Sequence, residues 1–143
     1  PNVISYCVAI SACEKGARWQ EALAMYSDMR QRQIDPNVMT CNAVISACEK
    51  GAHWHEAFCL FLEMRRRHLK ADVITYSAAI SACEKGAQWH EALGLFSSMC
   101  QRRLEPVVIT YNAALSACEK GARWREALGM FSDMRRRWLE PDV

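Results

Sequence analysis

The stretch SACEKGA at residues 11–17 returns, letter for letter, at 46–52, 81–87 and 116–122. Its cysteine falls at Cys13, Cys48, Cys83 and Cys118, 35 residues apart each time, so the period runs without insertion. A constant period in the 20 to 50 range marks a solenoid, in which each unit buries its apolar face only against its neighbours. The 143 residues therefore read as four units rather than one globular core. Pro1-Asn2 matches Pro36-Asn37, which closes a unit, and Val143 matches Val38, Val73 and Val108, which open one. The expectation is a piece of a longer array that lacks polar capping repeats.

The unit at 73–107 is VITYSAAISACEKGAQWHEALGLFSSMCQRRLEPV. Thr75 stands where Ser5, Thr40 and Thr110 stand in the others, and a Ser or Thr before a run of Ala and Ile is an N-cap candidate. Gly86, like Gly16, Gly51 and Gly121, closes that run and suits the left-handed residue that follows a helix. From Trp89 to about Arg102, Trp89, Ala92, Leu93, Phe96 and Met99 recur at helical spacing. Two helices of about 12 and 14 residues with a short turn fill the period. Pro36, Pro106 and Pro141 break the second helix, and Ala71 takes that slot in the second unit.

On a helix advancing by 100° per residue, offsets of 0, 3, 7 and 11 lie within about 60° of one another. They select Ile4, Cys7, Ser11 and Lys15; Met39, Asn42, Ser46 and Lys50; Ile74, Ser77, Ser81 and Lys85; Ile109, Asn112, Ser116 and Lys120. Each stripe holds an apolar side chain, a short residue polar in three of the four units, a serine and a lysine. The other side of the first helix, with Tyr6, Ala9, Ile10 and Cys13, is a core face. Stacked units would align the stripes into a groove with one apolar platform and one cation per repeat, a spacing suited to single-stranded nucleic acid. The bland alternative is that a helix C-terminus favours a lysine for its dipole. The residues alone leave both open. Arg65, Arg66, Arg67, Arg102, Arg103, Arg135, Arg136 and Arg137 gather before the breaks, where the dipole reading is favoured over RNA capture.

Lys and Arg number 18 against 16 Asp and Glu, a net charge of +2, so nucleic-acid binding would rest on where charges sit rather than on their sum. No apolar run approaches the roughly 18 residues of a membrane span. The recurring cysteines sit beside Ala and Ile with no C-x-x-C pair or zinc-finger spacing, which reads as small buried thiols in a reducing compartment. His53, His55, His68 and His90 form no metal-binding array, and no cofactor is expected. Trp19, Trp54, Trp89 and Trp124 lie beside Ala and Leu at helical spacing and are expected to pack between the two helices of a unit. No Gly-rich phosphate loop, Gly-x-Ser-x-Gly elbow or deaminase motif occurs, so no enzyme is expected.

TYNA at 110–113, Trp124 with EAL at 126–128, MRRR at 134–137 and LEPDV at 139–143 together resemble the plain 35-residue pentatricopeptide repeat, over the whole chain. The protein-binding tetratricopeptide repeat carries its Trp early in the first helix, whereas here Trp begins the second. The resemblance implies an all-α, right-handed α-solenoid of four helix-turn-helix repeats at 3–37, 38–72, 73–107 and 108–142. It implies single-stranded RNA bound at one nucleotide per repeat, 5′ to 3′ from the N-terminus. The fifth and last residues of each unit would read the base: Cys7 with Asn37, Asn42 with Asp72, Ser77 with Val107, and Asn112 with Asp142. Asn with Asp resembles the uracil-preferring pair, giving a register of any base, U, purine, U. Ile4, Met39, Ile74 and Ile109 would sandwich the bases, and Lys15, Lys50, Lys85 and Lys120 would meet phosphates. Organellar RNA processing, stability, editing or translation, in mitochondrion or plastid, is the implied setting, with no small-molecule substrate. The rival is a solenoid that scaffolds proteins or peptides, which the fold equally permits. If all four lysines meet phosphates, log K should fall with log salt at roughly −0.7 times four, near −3.

Overall fold

The computed structural model describes residues 2–136. These form eight helices in four pairs: α1 (Val3–Lys15) and α2 (Trp19–Gln31), α3 (Val38–Lys50) and α4 (Trp54–Arg66), α5 (Val73–Lys85) and α6 (Trp89–Gln101), α7 (Val108–Lys120) and α8 (Trp124–Met134). The first helices pack in series, α1 on α3, α3 on α5 and α5 on α7, while α2, α4 and α6 each touch both their own partner and the next first helix. The result is an α-solenoid with a core that runs the length of the array.

That core is built from the same positions in each unit. Ile10, Ile45 and Ile80 are fully buried, with Ala22, Ala57 and Ala92 opposite them and Met29, Met64 and Met99 one turn and more beyond. Burying one such side chain contributes roughly 1.5–3 kcal/mol, which is what holds a unit to its neighbour when the unit alone has no closed core. Phe61 meets Tyr76 edge-on at 4.9 Å between centroids, and Phe96 meets Tyr111 in the same way at 5.3 Å. Between the first two units the pair is replaced: Tyr26 takes the phenylalanine position and Cys41 the tyrosine position, and both are buried. Within a unit, Tyr6 donates to Asp28 at 2.6 Å and Tyr111 to Asp133 at 2.5 Å, tying first helix to second.

Cys48, Cys83 and Cys118 are buried as the periodicity suggested, and burial pushes the thiols of Cys48 and Cys83 up to about 12. Cys13, at the start of the array, is only partly covered.

Two local expectations are corrected. Ser5, Thr40, Thr75 and Thr110 are not N-caps but third residues of their helices; the caps are Asn2, Asn37, Asp72 and Val107. A side-chain oxygen at the cap accepts from the backbone two or three residues on, so the Asn or Asp three places earlier does the work. Nor do the glycines adopt the left-handed conformation. Gly51 has φ −88°, while Ala52 beside it has φ 60°, and Ala17, Ala87 and Ala122 do likewise. His53 N–H reaches the carbonyl of Cys48 and Ala52 N–H that of Glu49, the paired bonds of a Schellman ending with alanine in the strained place.

The glycine is required for approach rather than for φ. A Cβ on Gly51 would stand 2.7 Å from Cδ1 of Trp19, and one on Gly121 would stand 2.5 Å from the Trp89 ring. Trp19, Trp54 and Trp89 thus pack beyond their own units, against the helix ending of the next, which the expectation of packing within a unit did not include. His53 and Arg123 complete this contact, stacking on Trp19 at 3.5 Å and lying over Trp89 at 4.8 Å. Trp124 ends the described series and is 62% exposed. Among the described residues no helix is long and apolar enough to cross a membrane.

Candidate nucleic-acid interface

The stripe positions lie together on the uncovered side of the first helices. Ile4, Met39, Ile74 and Ile109 have exposures of 71%, 68%, 64% and 69%, although each is a large apolar side chain on the second residue of its helix. Isolated exposed aliphatics need no explanation, but four at one repeat position form a row that nothing among the described residues covers. Between Ile74 and Ile109 the surface opens a groove of ≈ 390 Å³ bounded by Ser77 and Val107.

The fifth residues take four different states. Asn42 is nearly buried, at 9% exposure, and its amide donates from Nδ2 to Oδ1 of Asp72 at 3.2 Å. Its own Oδ1 accepts from the hydroxyl of Thr75. Of the four pairs expected from the sequence, this one is joined directly. Asp72 also caps α5, accepting from Thr75 N–H at 3.0 Å, and its Oδ1 lies 2.9 Å from the Thr75 hydroxyl, whose single proton it shares with Asn42. Burial pushes its carboxyl up, but these bonds and that from Asn42 outweigh it and hold the group below its ordinary value, so it is charged at neutral pH.

Of the other three, the two pairs that lie wholly among the described residues are not joined. Cys7 is half-buried and makes no bond to Asn37, whose Oδ1 instead accepts from the backbone and hydroxyl of Thr40, each at 2.8 Å. Ser77 pairs with the hydroxyl of Thr110 at 2.6 Å, since Val107 offers no polar atom. Asn112 is exposed, and its expected partner Asp142 lies outside the described residues.

The lysines are placed less simply than the stripe suggests. Lys50 meets Glu14 Oε2 at 2.5 Å, Lys85 meets Glu49 at 2.5 Å, and Lys120 meets Glu84 at 2.6 Å. Each ammonium also faces the backbone carbonyl of that glutamate, at 3.4, 3.5 and 3.2 Å. The same carboxylates accept from Ser46, Ser81 and Ser116, at 3.1, 3.1 and 2.7 Å. The glutamate of one SACEK therefore bonds the serine and the lysine of the next. The Lys50 ammonium, with Ser46, holds the Glu14 carboxyl below its ordinary value against a smaller opposing effect of burial. At Glu84 burial is the largest single influence, and Lys120 and Ser116 together overcome it. Lys15 is exposed and has no such glutamate among the described residues.

Reading by stripes missed Glu14, Glu49 and Glu84, together with Thr75 and Thr110. The signal for the glutamates was present: an acid that never varies within a repeated phrase, flanked by a hydroxyl and a cation that never vary either.

A family model described as PPR repeat family matches residues 1–50 and 36–85, and one described as PPR repeat matches 74–104 and 109–139. No curated protein matches. Among solved structures, the pentatricopeptide repeat protein PPR10 from maize is 29% identical with a TM-score of 0.83, over 99% of this chain and 20% of that one. PPR10 in complex with an 18-nt psaJ RNA element gives 28% identity and a TM-score of 0.81, over 99% of this chain and 21% of that one. The PPR domain of Arabidopsis thaliana protein-only RNase P 1, solved with tRNA, shares the fold at 13% identity and a TM-score of 0.66, over 94% of this chain and 89% of that one. The chain thus spans a fifth of the length of PPR10.

Proposed function

The chain belongs to the pentatricopeptide repeat family, and on that premise we propose that it binds single-stranded RNA along the open side of its first helices, one nucleotide per repeat. The observation that carries the reading is the Asn42–Asp72 pair beside the exposed row of Ile4, Met39, Ile74 and Ile109. Aliphatic side chains at a constant repeat give flat apolar contact to any base, and a polar pair at one edge of each slot can discriminate among bases. Asn42 retains one amide N–H and one carbonyl lone pair, a donor beside an acceptor, which matches the acceptor and donor of a uracil edge. Asn112, with Asp142, would read the same base two places on.

The first and third repeats read less. Cys7 is a weak hydrogen-bonding group, and Ser77 carries a hydroxyl with a purine leaning in this family. The register is any base, U, purine, U. Lys15, Lys50, Lys85 and Lys120, at the C-terminal ends of the same helices, would meet phosphates, three of them sharing their charge with glutamate. Four stacked bases at about 1–3 kcal/mol each must offset the ordering of a flexible strand, so binding by four repeats is weak. The array acts as a binder and any catalysis would lie with other domains or partners; the family setting is the mitochondrion or plastid.

The test is a fluorescence-anisotropy titration at low salt against U-rich, A-rich and scrambled single-stranded RNAs. A preference for U at the second and fourth places, lost in Asn42→Ala and Asn112→Ala respectively, is the expected result. Failure to bind any of the RNAs would favour a peptide-binding solenoid instead.

A further inference from the structure

Thr40, Thr75 and Thr110 are fully buried at the third position of α3, α5 and α7. A buried hydroxyl is unfavourable unless bonded, so where each one bonds is informative. Thr75 accepts from Asp72 N–H at 3.1 Å, and its single proton stands between two acceptors, Oδ1 of Asp72 and Oδ1 of Asn42 in the preceding repeat. Thr110 reaches back in the same way to Ser77, at 2.6 Å. Thr40 has Cys7, a poor acceptor, as the corresponding residue of the repeat before it, and its hydroxyl donates to Asn37 of its own cap.

We propose that the threonine at the third position of each first helix is the positioning residue for the base reader of the repeat before it, Thr75 for Asn42 and Thr110 for Ser77. This rests on the RNA-binding reading for its consequence, though not for its geometry. Asn42 is gripped on both atoms of its amide: Thr75 holds the oxygen and Asp72 the nitrogen, so the group cannot turn over and presents its remaining donor and acceptor in a fixed order. The reader is therefore a trio shared by two repeats.

The third repeat shows what happens without the carboxylate. Val107 cannot draw the Thr110 proton, and either hydroxyl of the Ser77–Thr110 pair can donate to the other. Ser77 then faces the groove as an acceptor when it gives its proton to Thr110, and as a donor when it receives one. The same threonine that fixes Asn42 leaves Ser77 able to serve either polarity, which makes the third place permissive between bases of opposite edge pattern.

Thr75→Val removes the hydroxyl with little change of shape, and Thr75→Ser keeps it. Anisotropy titration of the 143-residue chain against RNAs differing only at the second place, U or G, should show the U preference falling by about three- to tenfold in Thr75→Val. Thr75→Ser should retain it, and the preference at the place facing Asn112 should not move. In parallel, the side-chain amide signals of Asn42 in a ¹⁵N-correlated spectrum without RNA should shift in Thr75→Val and not in Asn42-distant controls such as Ser97→Ala. A Thr75→Val chain that keeps its full preference at the second place overturns the proposal. If the unaltered chain shows no base preference anywhere, base reading itself fails, and the amide spectrum decides positioning alone: shifted signals support it and unshifted signals overturn it.

Discussion

Trp19 occupies the space that a side chain on Gly51 would need, with its Cδ1 2.7 Å from the position of a Cβ there. The contact joins the start of one second helix to the end of the next first helix, and it recurs between Trp54 and Gly86 and between Trp89 and Gly121. It makes the glycine of the second, third and fourth repeats a condition of stacking.

Gly51→Ala, Gly86→Ala and Gly121→Ala should each destabilise the array by roughly 1–3 kcal/mol, the usual cost of overpacking. Gly16→Ala should fall within about 0.5 kcal/mol of the parent, because a Cβ there meets nothing nearer than Arg18 Cγ at 3.5 Å. Urea melts of the four variants check this. Equal losses at all four sites would mean that the glycine serves backbone conformation after all.

Val107 is the one cap of the four without a side-chain acceptor. The Thr110 hydroxyl still accepts from its N–H at 3.3 Å, but the N–H of Thr110 finds no side-chain acceptor on the cap. Val107→Asp should raise stability by about 1 kcal/mol by supplying that acceptor. The thermal midpoint measures it, and no gain would show that the helix start is satisfied by solvent.

Glu14 and Glu84 have carboxyls held below their ordinary value in the folded chain. The stability they lend is therefore present above that value and is lost as pH falls through the lower, folded one. Below pH 4.5, the ordinary value of a glutamate, the parent should lose stability more steeply than Glu14→Gln or Glu84→Gln, in which no carboxylate remains to protonate. Denaturant midpoints taken at steps from pH 6 to pH 3 would show the curves converging. Parallel curves would mean the pairs are no stronger folded than unfolded.

The same carboxylates moderate the charge of the open side. With Lys50, Lys85 and Lys120 each paired to glutamate, the salt slope for RNA should be shallower than the value near −3 expected of four unencumbered lysines. Glu14→Gln and Glu84→Gln should tighten binding at low salt and steepen the slope by about 0.7 for each lysine released. Titrations across a range of potassium concentrations measure this, and an unchanged slope would place the phosphates away from these lysines.

What is local or periodic was legible in the residues alone. The 35-residue spacing of Cys13, Cys48, Cys83 and Cys118 fixed the number of units, and the helical spacing from Trp89 to Met99 fixed the second helix, because both follow from burying one apolar face per turn. The row of Ile4, Met39, Ile74 and Ile109 was legible for the same reason. What a residue touches was not. Lys50 and Ser46 find Glu14, Thr75 finds Asn42, and Trp19 finds Gly51, each partner 32 to 36 residues away in the neighbouring unit. A repeating sequence gives every copy the same local signal, so it cannot distinguish a contact within a unit from the same contact to the next. Only the stacking of one unit on another, set by the volume and shape of the buried side chains, decides that SACEK is a seam between repeats and that its glycine makes room for a tryptophan.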